Sequence, residues 1–302
     1  MKKFISLLSV LCITVAAFVS CDVSNGAVDI DIDTDSAQNT NNSELNGESE
    51  IAKNTENKTE KVTEKQTEAP LKATEGLSLE PLGDGNYQLS GMKRECKEHD
   101  IVIPSEFKGG KVVKIRDKAF YNCFEILSAV IPDSVTSIGE FAFSCSNLSK
   151  ITISESVDSI GKNAFSGCTR LETVNLPKGI TVINDETFMQ CERIKEIEIP
   201  HSVTHIGIAA FADCISLKSV IIPDKVKTID TFAFSGCESL ESVTLPKSLI
   251  SIGGSAFSDC KKLSIVNYEG TKAEWEEVNK GVRWNENSNV FIIACSDGDI
   301  FL

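Results

Sequence analysis

The sequence predicts a repeat solenoid, because one pattern of about 23 residues recurs seven times between Ile115 and Tyr268. Cysteine marks the pattern at a constant interval, shortened by a single residue only between the first two copies, at Cys123, Cys145, Cys168, Cys191, Cys214, Cys237 and Cys260. Phenylalanine precedes each cysteine by three positions, or by two in the second copy, at Phe120, Phe143, Phe165, Phe188, Phe211, Phe234 and Phe257. A chain that repeats at this period forms coils that stack on one another.

The apolar residues within one copy predict the path of a coil. Positions six and eight after cysteine are apolar and lie on one face of a strand, as Val220 and Ile222 do in the fifth copy. Proline follows in most copies and ends that strand. A second apolar pair comes next, and then a short helical turn that carries an Ala-Phe pair such as Ala164-Phe165. Between them lies a column for which we expect positive φ and a sharp corner: Gly139, Gly161, Asn184, Gly207, Asp230 and Gly253.

The repeat resembles the BspA-like bacterial leucine-rich repeats, whose consensus is close to I-P-x-S-V-T-x-I-G-x-x-A-F-x-x-C-x-x-L-x-x-I-x. The stretches IPDSVTSIGEFAFSCSNLSKITI and IPHSVTHIGIAAFADCISLKSVII match it almost position for position. The resemblance covers residues 77–302, and it departs at Ser154, where proline is expected, and at Glu192-Arg193. It implies a leucine-rich-repeat right-handed coil with a parallel β-sheet face, over residues 115–268, and cysteines that point inward.

The segments on either side of the repeats are predicted to cap the solenoid. The N-terminal β cap, residues 76–114, is expected to contain strands at Asn86–Ser90, Asp100–Ile103 and Lys111–Ile115. The C-terminal cap, residues 269–302, is similar to that of the same family and is expected to contain a helix and a hairpin.

In the C-terminal cap, Thr271 and Glu274 fit a capping box, which predicts a helix over Lys272–Val278 with Trp275 sealing the core. The hairpin strands are predicted at Val290–Cys295 and Asp299–Leu302, around the turn signal Asp297-Gly298.

Residues 1–20 have the form of a signal peptide, because Lys2 and Lys3 precede an uncharged apolar run that is short for a membrane span. The run ends in Phe18-Val19-Ser20-Cys21, which resembles a bacterial lipoprotein box. That resemblance implies cleavage before Cys21, lipid attachment to this residue and anchoring to the bacterial cell membrane or surface. The alternative is cleavage after Ala17, which would give a secreted protein.

Residues 21–75 are predicted to form a disordered acidic tether. From residue 22 they carry thirteen acidic and five basic side chains and no Phe, Tyr or Trp, so they cannot bury enough apolar surface to fold. A flexible coil of this length spans roughly 40 Å root-mean-square, as a surface anchor requires. The whole chain has a formal net charge of −14 and no basic cluster, which disfavours nucleic-acid binding.

The cysteine column allows three interpretations: buried thiols, disulfides or a metal site. A spacing of one whole repeat spreads the thiols along a line, whereas metal ligands must converge on a point. Adjacent coils would hold cysteine Cα atoms roughly 5 Å apart, which permits disulfides. Because the resemblance places these side chains inside, we favour a ladder of buried thiols, and we expect no metal and no cofactor. The three histidines and the remaining motifs indicate no enzyme, and His201 and His205 are expected at the surface.

Strand positions five and seven after cysteine are expected to face solvent and to form the binding face, since solenoids commonly bind through this surface. The alternative interpretation is that they are only solvated strand positions. The candidate residues are Val130, Lys150, Thr152, Thr173, Asn175, Glu196, Glu198, Ser219, Ile221, Ser242 and Thr244.

The sequence thus predicts a surface-anchored module for binding protein or another extracellular macromolecule, with a lipid as its only membrane contact. The family resemblance implies adhesion or contact with host and matrix. The alternative is a passive envelope protein, structural or accessory to glycan capture, without an adhesive role.

Overall fold

The computed structural model describes residues 72–93, 96–290 and 292–302. Cys21, the predicted signal peptide and the tether through residue 71 lie outside the described residues. Within the described part, the chain winds into a solenoid of parallel strands, as the repeat predicts. Most coils contribute two short strands, one on each of two faces of the solenoid.

The first face, which we call the strand face, carries the strand that follows cysteine in each coil. Neighbouring strands are parallel and pair at equivalent repeat positions, so that Val220 is opposite Val243 and Val243 is opposite Val266. The fourth coil contributes no strand, and the face is therefore divided into two sheets. Its strands are β3 (Asp100–Val102), β6 (Ser128–Val130), β8 (Lys150–Thr152), β10 (Thr173–Val174), β13 (Ser219–Ile221), β15 (Ser242–Leu245), β17 (Ile265–Tyr268) and β19 (Ile292–Cys295).

The second face carries the strand that precedes each corner. These strands are mostly two residues long, and the second residue is usually a buried isoleucine such as Ile206 or Ile229. The face also divides, between β9 (Ser159–Ile160) and β11 (Val182–Ile183). Its strands are β5 (Gly110–Ile115), β7 (Ser137–Ile138), β9 (Ser159–Ile160), β11 (Val182–Ile183), β12 (His205–Ile206), β14 (Thr228–Ile229), β16 (Ser251–Ile252) and β18 (Asn279–Lys280).

The segment that carries the Ala-Phe pair is a run of tight turns, where the sequence predicted a short helical turn. In the third coil, the Ala164 amide donates to the Gly161 carbonyl at 3.3 Å, inside the same coil. The Asn163 amide donates instead to the Asp185 carbonyl of the next coil, at 3.0 Å. Alternate amides thus bond within the coil and between coils. This side of the solenoid is held by inter-coil hydrogen bonds although it contains no strand.

The corner column does not adopt positive φ, so that part of the sequence interpretation is wrong. Glycine is needed there because the coils approach closely: a Cβ on Gly139 would lie 2.3 Å from Asp117 Oδ1 and 2.5 Å from its backbone nitrogen. Where the column holds Asn184, the side-chain amide donates to the Ile160 carbonyl at 2.7 Å.

Positive φ occurs instead at two other columns. One lies immediately before the cysteine of most coils. The other lies two residues after the corner, with φ between 51° and 60°, at Phe141, Asn163, Glu186, Ala209, Phe232 and Ser255. Left-handed backbone costs about 1–2 kcal/mol for such residues. The inter-coil hydrogen bonds of the turn segment offset that cost, because this conformation directs the amides toward the next coil.

The core is a continuous stack of phenylalanines, as the repeat predicts. All seven rings are fully buried, with centroids 5.1 to 5.5 Å apart and neighbouring planes inclined by 3° to 19°. Beside the stack, each thiol from Cys168 to Cys260 donates to the phenylalanine carbonyl of the preceding coil, at 3.1 to 3.3 Å. At the C-terminal end the stack meets the edge of Trp284.

Cys145 does not occupy the cysteine column. Its φ is +56°, and its amide donates a hydrogen bond to the Ser166 carbonyl of the next coil. In other coils these two features belong to the residue before the column cysteine, as at Gln190. Ser146 takes the column position, because its amide donates to Phe143 in the same coil and its hydroxyl lies 3.5 Å from Cys168 Sγ. The residue missing from the second copy is therefore lost after the column position.

The thiol ladder holds for most of the column and is wrong at its start. Cys123 and Cys145 are disulfide-bonded, against the expectation of free thiols. The free thiols of the ladder, all buried, belong to Cys168, Cys191, Cys214, Cys237 and Cys260.

The N-terminal segment contains the three strands expected there, as β2 (Tyr87–Met92), β3 and β5. It also contains two unpredicted strands, β1 (Leu77–Pro81), which pairs antiparallel with β2, and β4 (Glu106–Phe107). Thr74 and Val102 form two hydrogen bonds. The Thr74 amide donates to the Val102 carbonyl at 2.9 Å, and the Val102 amide donates to the Thr74 hydroxyl at 2.8 Å.

The C-terminal segment contains the helix α1 (Lys272–Glu277), with the predicted capping box between Thr271 and Glu274. Trp275 is buried against Tyr268, with ring centroids 5.2 Å apart. The hairpin forms from β19 and β20 (Gly298–Phe301). In the described ranges, no helix is long and apolar enough to cross a membrane.

Candidate functional site

The strand face presents the predicted side chains outward. The residues between them point inward, as the buried Ile151, Val220 and Val243 show. The outward residues are exposed along most of the face, and they are partly buried at its ends. Ile221 is a large apolar side chain that is 68% exposed, in the middle of this polar surface.

The face is interrupted at the fourth coil. Glu196–Ile199 follow the expected path of a strand but form none, and among the described residues no backbone hydrogen bond involves these four residues. Directly before this segment, the Lys218 amide of the fifth coil still donates to the Lys195 carbonyl of the fourth coil, at 3.1 Å. The coil thus leaves a row of unpaired amides and carbonyls within an otherwise hydrogen-bonded face.

Next to the interruption, the side chain of Asn175 replaces a backbone group in the ladder between the second and third coils. In regular coils a backbone amide donates to the next backbone carbonyl, as from Ile131 to Thr152 at 2.9 Å. At the equivalent place the Ile153 amide donates to Asn175 Oδ1 at 3.1 Å, and Asn175 Nδ2 donates to the Ile153 carbonyl at 2.7 Å. Asparagine side chains compete in this way with backbone ladders. The ladder ends there, and β10 is only two residues long.

Two open grooves flank the interrupted segment. The smaller, about 420 Å³, lies between the third and fourth coils and is lined by Glu155, Lys178 and Glu198 among others. The larger, about 510 Å³, lies between the fourth and fifth coils and is lined by Glu196, Glu198 and Ile221 among others. Both volumes are in the range of about 300–1,000 Å³ typical of binding clefts.

The larger groove is acidic. Glu196 and Glu198 are exposed and form no ion pair within the described ranges, and neither lysine nor arginine lines this groove. His201 also lines it, with a side chain that is 88% exposed and Nδ1 3.4 Å from Asp224 Oδ1. The smaller groove differs, since it contains Lys178. Carboxylates in such a cleft favour a cationic ligand.

His205 lies on the second face and contacts two polar neighbours. Its Nδ1 contacts Thr228 Oγ1, and its Nε2 lies 3.2 Å from Asp230 Oδ2. His205 and Thr228 are directly opposite each other in the ladder, so this contact is a cross-strand pair on a regular sheet. Among the described side chains no group of three His, Cys, Asp or Glu could hold a metal ion.

Burial governs the acidity of the ladder thiols. It raises the pKa of the Cys168 thiol to about 11, and it also raises the pKa of Cys191, Cys214 and Cys237. These thiols are therefore protonated at neutral pH and are poor nucleophiles and poor metal ligands.

The sequence model of the BspA type leucine rich repeat region matches residues 94–218 and 204–278, in six copies. The chain belongs to this family. Leucine-rich repeats of this kind generally serve as protein-interaction modules. No curated protein matches the chain.

Solved structures of leucine-rich repeat proteins are similar to this chain. A leucine-rich repeat protein from Bacteroides ovatus is 28% identical, with a TM-score of 0.57, and the match covers 74% of this chain and 70% of that one. The T. pallidum leucine-rich repeat protein is also 28% identical, with a TM-score of 0.49 and coverage of 70% and 86%.

The sequence placed Glu196, Glu198 and Ile221 on the strand face but missed the grooves that these residues line. The interpretation treated that face as continuous, although the fourth coil interrupts it. The residue type gave no signal, because Asn267 has the repeat position of Asn175 and pairs regularly in β17.

Proposed function

We propose that this BspA-type protein is anchored at the bacterial cell surface by a lipid on Cys21 and binds a protein partner through its strand face, in an adhesion-type contact. The observation that carries the proposal is the exposed Ile221, which lines an open groove on a face of small polar side chains. An apolar centre with a polar rim is the usual composition of a protein-binding surface. Membership of a family of interaction modules supports the same function.

The amino-terminal sequence supports the anchor. An apolar leader ending at Cys21, followed by an acidic segment without aromatic residues, would hold the solenoid away from the membrane. The formal net charge of −14 favours protein or other extracellular partners over nucleic acid.

Display of the full chain on cells tests the binding function. The strand-face variant combines Thr152→Arg, Ile221→Arg and Thr244→Arg. The matched control places three arginines at exposed positions near the second face, as Ser159→Arg, Thr181→Arg and Thr204→Arg. Cells are incubated with a panel of labelled matrix and cell-envelope proteins, and flow cytometry measures the binding. We expect the strand-face variant to lose binding by about tenfold or more, because bulky charges at the centre of an interface are poorly tolerated.

The control variant should bind like the unmodified chain. Equal binding by both variants, or no binding of any panel protein by the unmodified chain, would contradict the proposed function.

The anchor is tested by Cys21→Ala in cells fed labelled palmitate. The unmodified chain should carry the label and fractionate with membranes, and the variant should do neither. A variant that keeps both properties would show that the lipid is not on Cys21.

A further inference from the structure

We propose that the solenoid contains a hinge between its third and fourth coils, about which the two halves tilt so that the smaller groove opens and closes. The hinge axis runs along the side that carries the turn segments. The opening edge is the opposite edge of the coils, where the strand face meets the second face. This motion goes beyond the proposed function, because it is a property of the free chain.

The two sheet faces lack backbone hydrogen bonds between the third and fourth coils. On the second face β9 does not pair with β11, and on the strand face β10 does not pair with Glu196–Ile199. Within the part of the chain that the structure describes, no backbone hydrogen bond joins residues 154–161 to residues 177–184. In that same part, none joins residues 169–178 to residues 192–201. Between the fifth and sixth coils, by contrast, both faces are paired, as β12 with β14 and β13 with β15.

The turn segments keep the two coils bonded along one side. The Asn163, Phe165 and Gly167 amides of the third coil donate to carbonyls of the fourth coil at 3.0, 2.9 and 2.7 Å. The Phe165 and Phe188 rings, which belong to the same segments, stack with centroids 5.4 Å apart and planes inclined by 6°. A row of bonds along one side of a packed interface acts as a hinge, because rotation about the row leaves these bonds nearly unchanged.

Side chains bridge the opening edge in place of the backbone. Asn184 Nδ2 donates to the Ile160 carbonyl at 2.7 Å, and the Lys178 amide donates to Glu155 Oε2 at 2.8 Å. Glu155 and Lys178 are exposed, so water competes for the same groups. The two bonds therefore latch the interface more weakly than a closed ladder would.

The smaller groove lies at this opening edge. It is lined by both coils, including Leu176 of the third and Glu198 of the fourth, and its volume is about 420 Å³. The side chains of Leu176, Ile180 and Ile199 are buried beside it. A wide opening would expose them to water at a large cost, so the motion is a tilt of small angle. Such a tilt changes the width of the groove and the curvature of the strand face.

Distances across the hinge in the full chain test the proposal. Spin labels attached to p-acetylphenylalanine replace Lys150 and Ser242, which are four strand spacings apart, roughly 19 Å, on opposite sides of the hinge. The control pair, Ser219 and Phe301, spans four spacings within one hydrogen-bonded sheet. Double electron–electron resonance measures both distance distributions. We expect the distribution across the hinge to be at least about 1.5 times as wide as that of the control pair.

Removal of a latch should widen the distribution across the hinge further. Glu155→Ala deletes the acceptor of the Lys178 amide, so the distribution between Lys150 and Ser242 should broaden while that of the control pair stays the same. The matched control Glu241→Ala removes an exposed carboxylate from the C-terminal half and should change neither distribution.

Equal widths for the two labelled pairs would overturn the hinge. The same conclusion would follow if Glu155→Ala left the distribution across the hinge unchanged. These results would leave the proposed binding function intact, because binding requires the strand face and not its motion.

Discussion

At the residue scale, each coil is joined to the next by a phenylalanine and a cysteine. The Phe165 ring stacks on its neighbours in both directions, and its carbonyl accepts the Cys168 amide at 3.1 Å and the Cys191 thiol at 3.3 Å. A buried thiol is therefore both a space-filling group and a hydrogen-bond donor. Ser146 substitutes for cysteine in the second coil, since a hydroxyl can fill the same position.

The buried thiols should make stability depend on alkaline pH. Their folded pKa values lie above the unfolded value of about 8.5, so their stabilising contribution is complete below that pH and is lost as pH rises toward the folded pKa. We expect the urea midpoint to fall between pH 8 and pH 10. Each thiol contributes about 1.4 kcal/mol per pH unit above the unfolded pKa.

In Cys214→Ala/Cys237→Ala this fall should be smaller, because two of the thiols no longer titrate, whereas lysines and tyrosines titrate as before. The comparison uses the pH dependence of the midpoint and not its absolute value, since the substitution also leaves cavities. An equal fall in both proteins would show that the thiols do not govern the alkaline loss.

At the element scale, the repeat pattern alone does not decide whether a strand forms. The fourth coil has the alternating pattern of a strand at Glu196–Ile199, and its neighbours form β10 and β13 at the equivalent positions. Asn175 binds the Ile153 backbone with its amide group, so its own main chain does not continue the ladder. An asparagine at this position is not sufficient to interrupt a strand, since Asn267 has the same repeat position and pairs regularly in β17.

Amide hydrogen exchange should reveal this interruption. Without ladder bonds, amides of Glu196–Ile199 should exchange at least about tenfold faster than those of Ser242–Leu245, measured on peptic fragments by mass spectrometry. Slow exchange at Glu196–Ile199 in the unmodified protein would show that the ladder is closed in solution.

At the scale of the whole molecule, stability is the sum of coils and of the interfaces between neighbours. The repeat positions pair in strict register, with Ser219 opposite Ser242 and Ser242 opposite Ile265. Any complete repeat unit can therefore be removed without shifting a column. Each coil also supplies its own outward residues, so the charge of the strand face is the sum of the charges that the coils contribute.

Deletion of residues 226–248 should leave a folded solenoid. The deletion joins Lys225 to Leu249, which has the repeat position of Val226, and it brings Phe257 onto Phe211. We expect native-like circular dichroism and a urea m-value smaller by about a tenth, in proportion to the surface removed. Deletion of residues 226–236 should prevent cooperative folding, because it moves Phe and Cys out of their columns. Equal behaviour of the two deletions would contradict the additive description.

The sequence by itself determined the period, the stacked phenylalanines and the outward residues of the strand face. These features depend on residue spacing alone, because equal spacing places like side chains at like positions in every coil. The capping box at Thr271 was also predictable, because it depends only on four consecutive residues.

Only the tertiary structure decided how the coils meet. The glycine corners, the left-handed residues two positions later, the disulfide bonding of Cys123 and Cys145 and the interruption at Glu196–Ile199 all depend on atoms of a neighbouring coil. Gly139 was assigned a special φ, but it is needed because Asp117 of the preceding coil leaves no room for a Cβ. The spacing of residues in the sequence specifies which columns exist, whereas the distance between neighbouring backbones decides which side chains each column can hold.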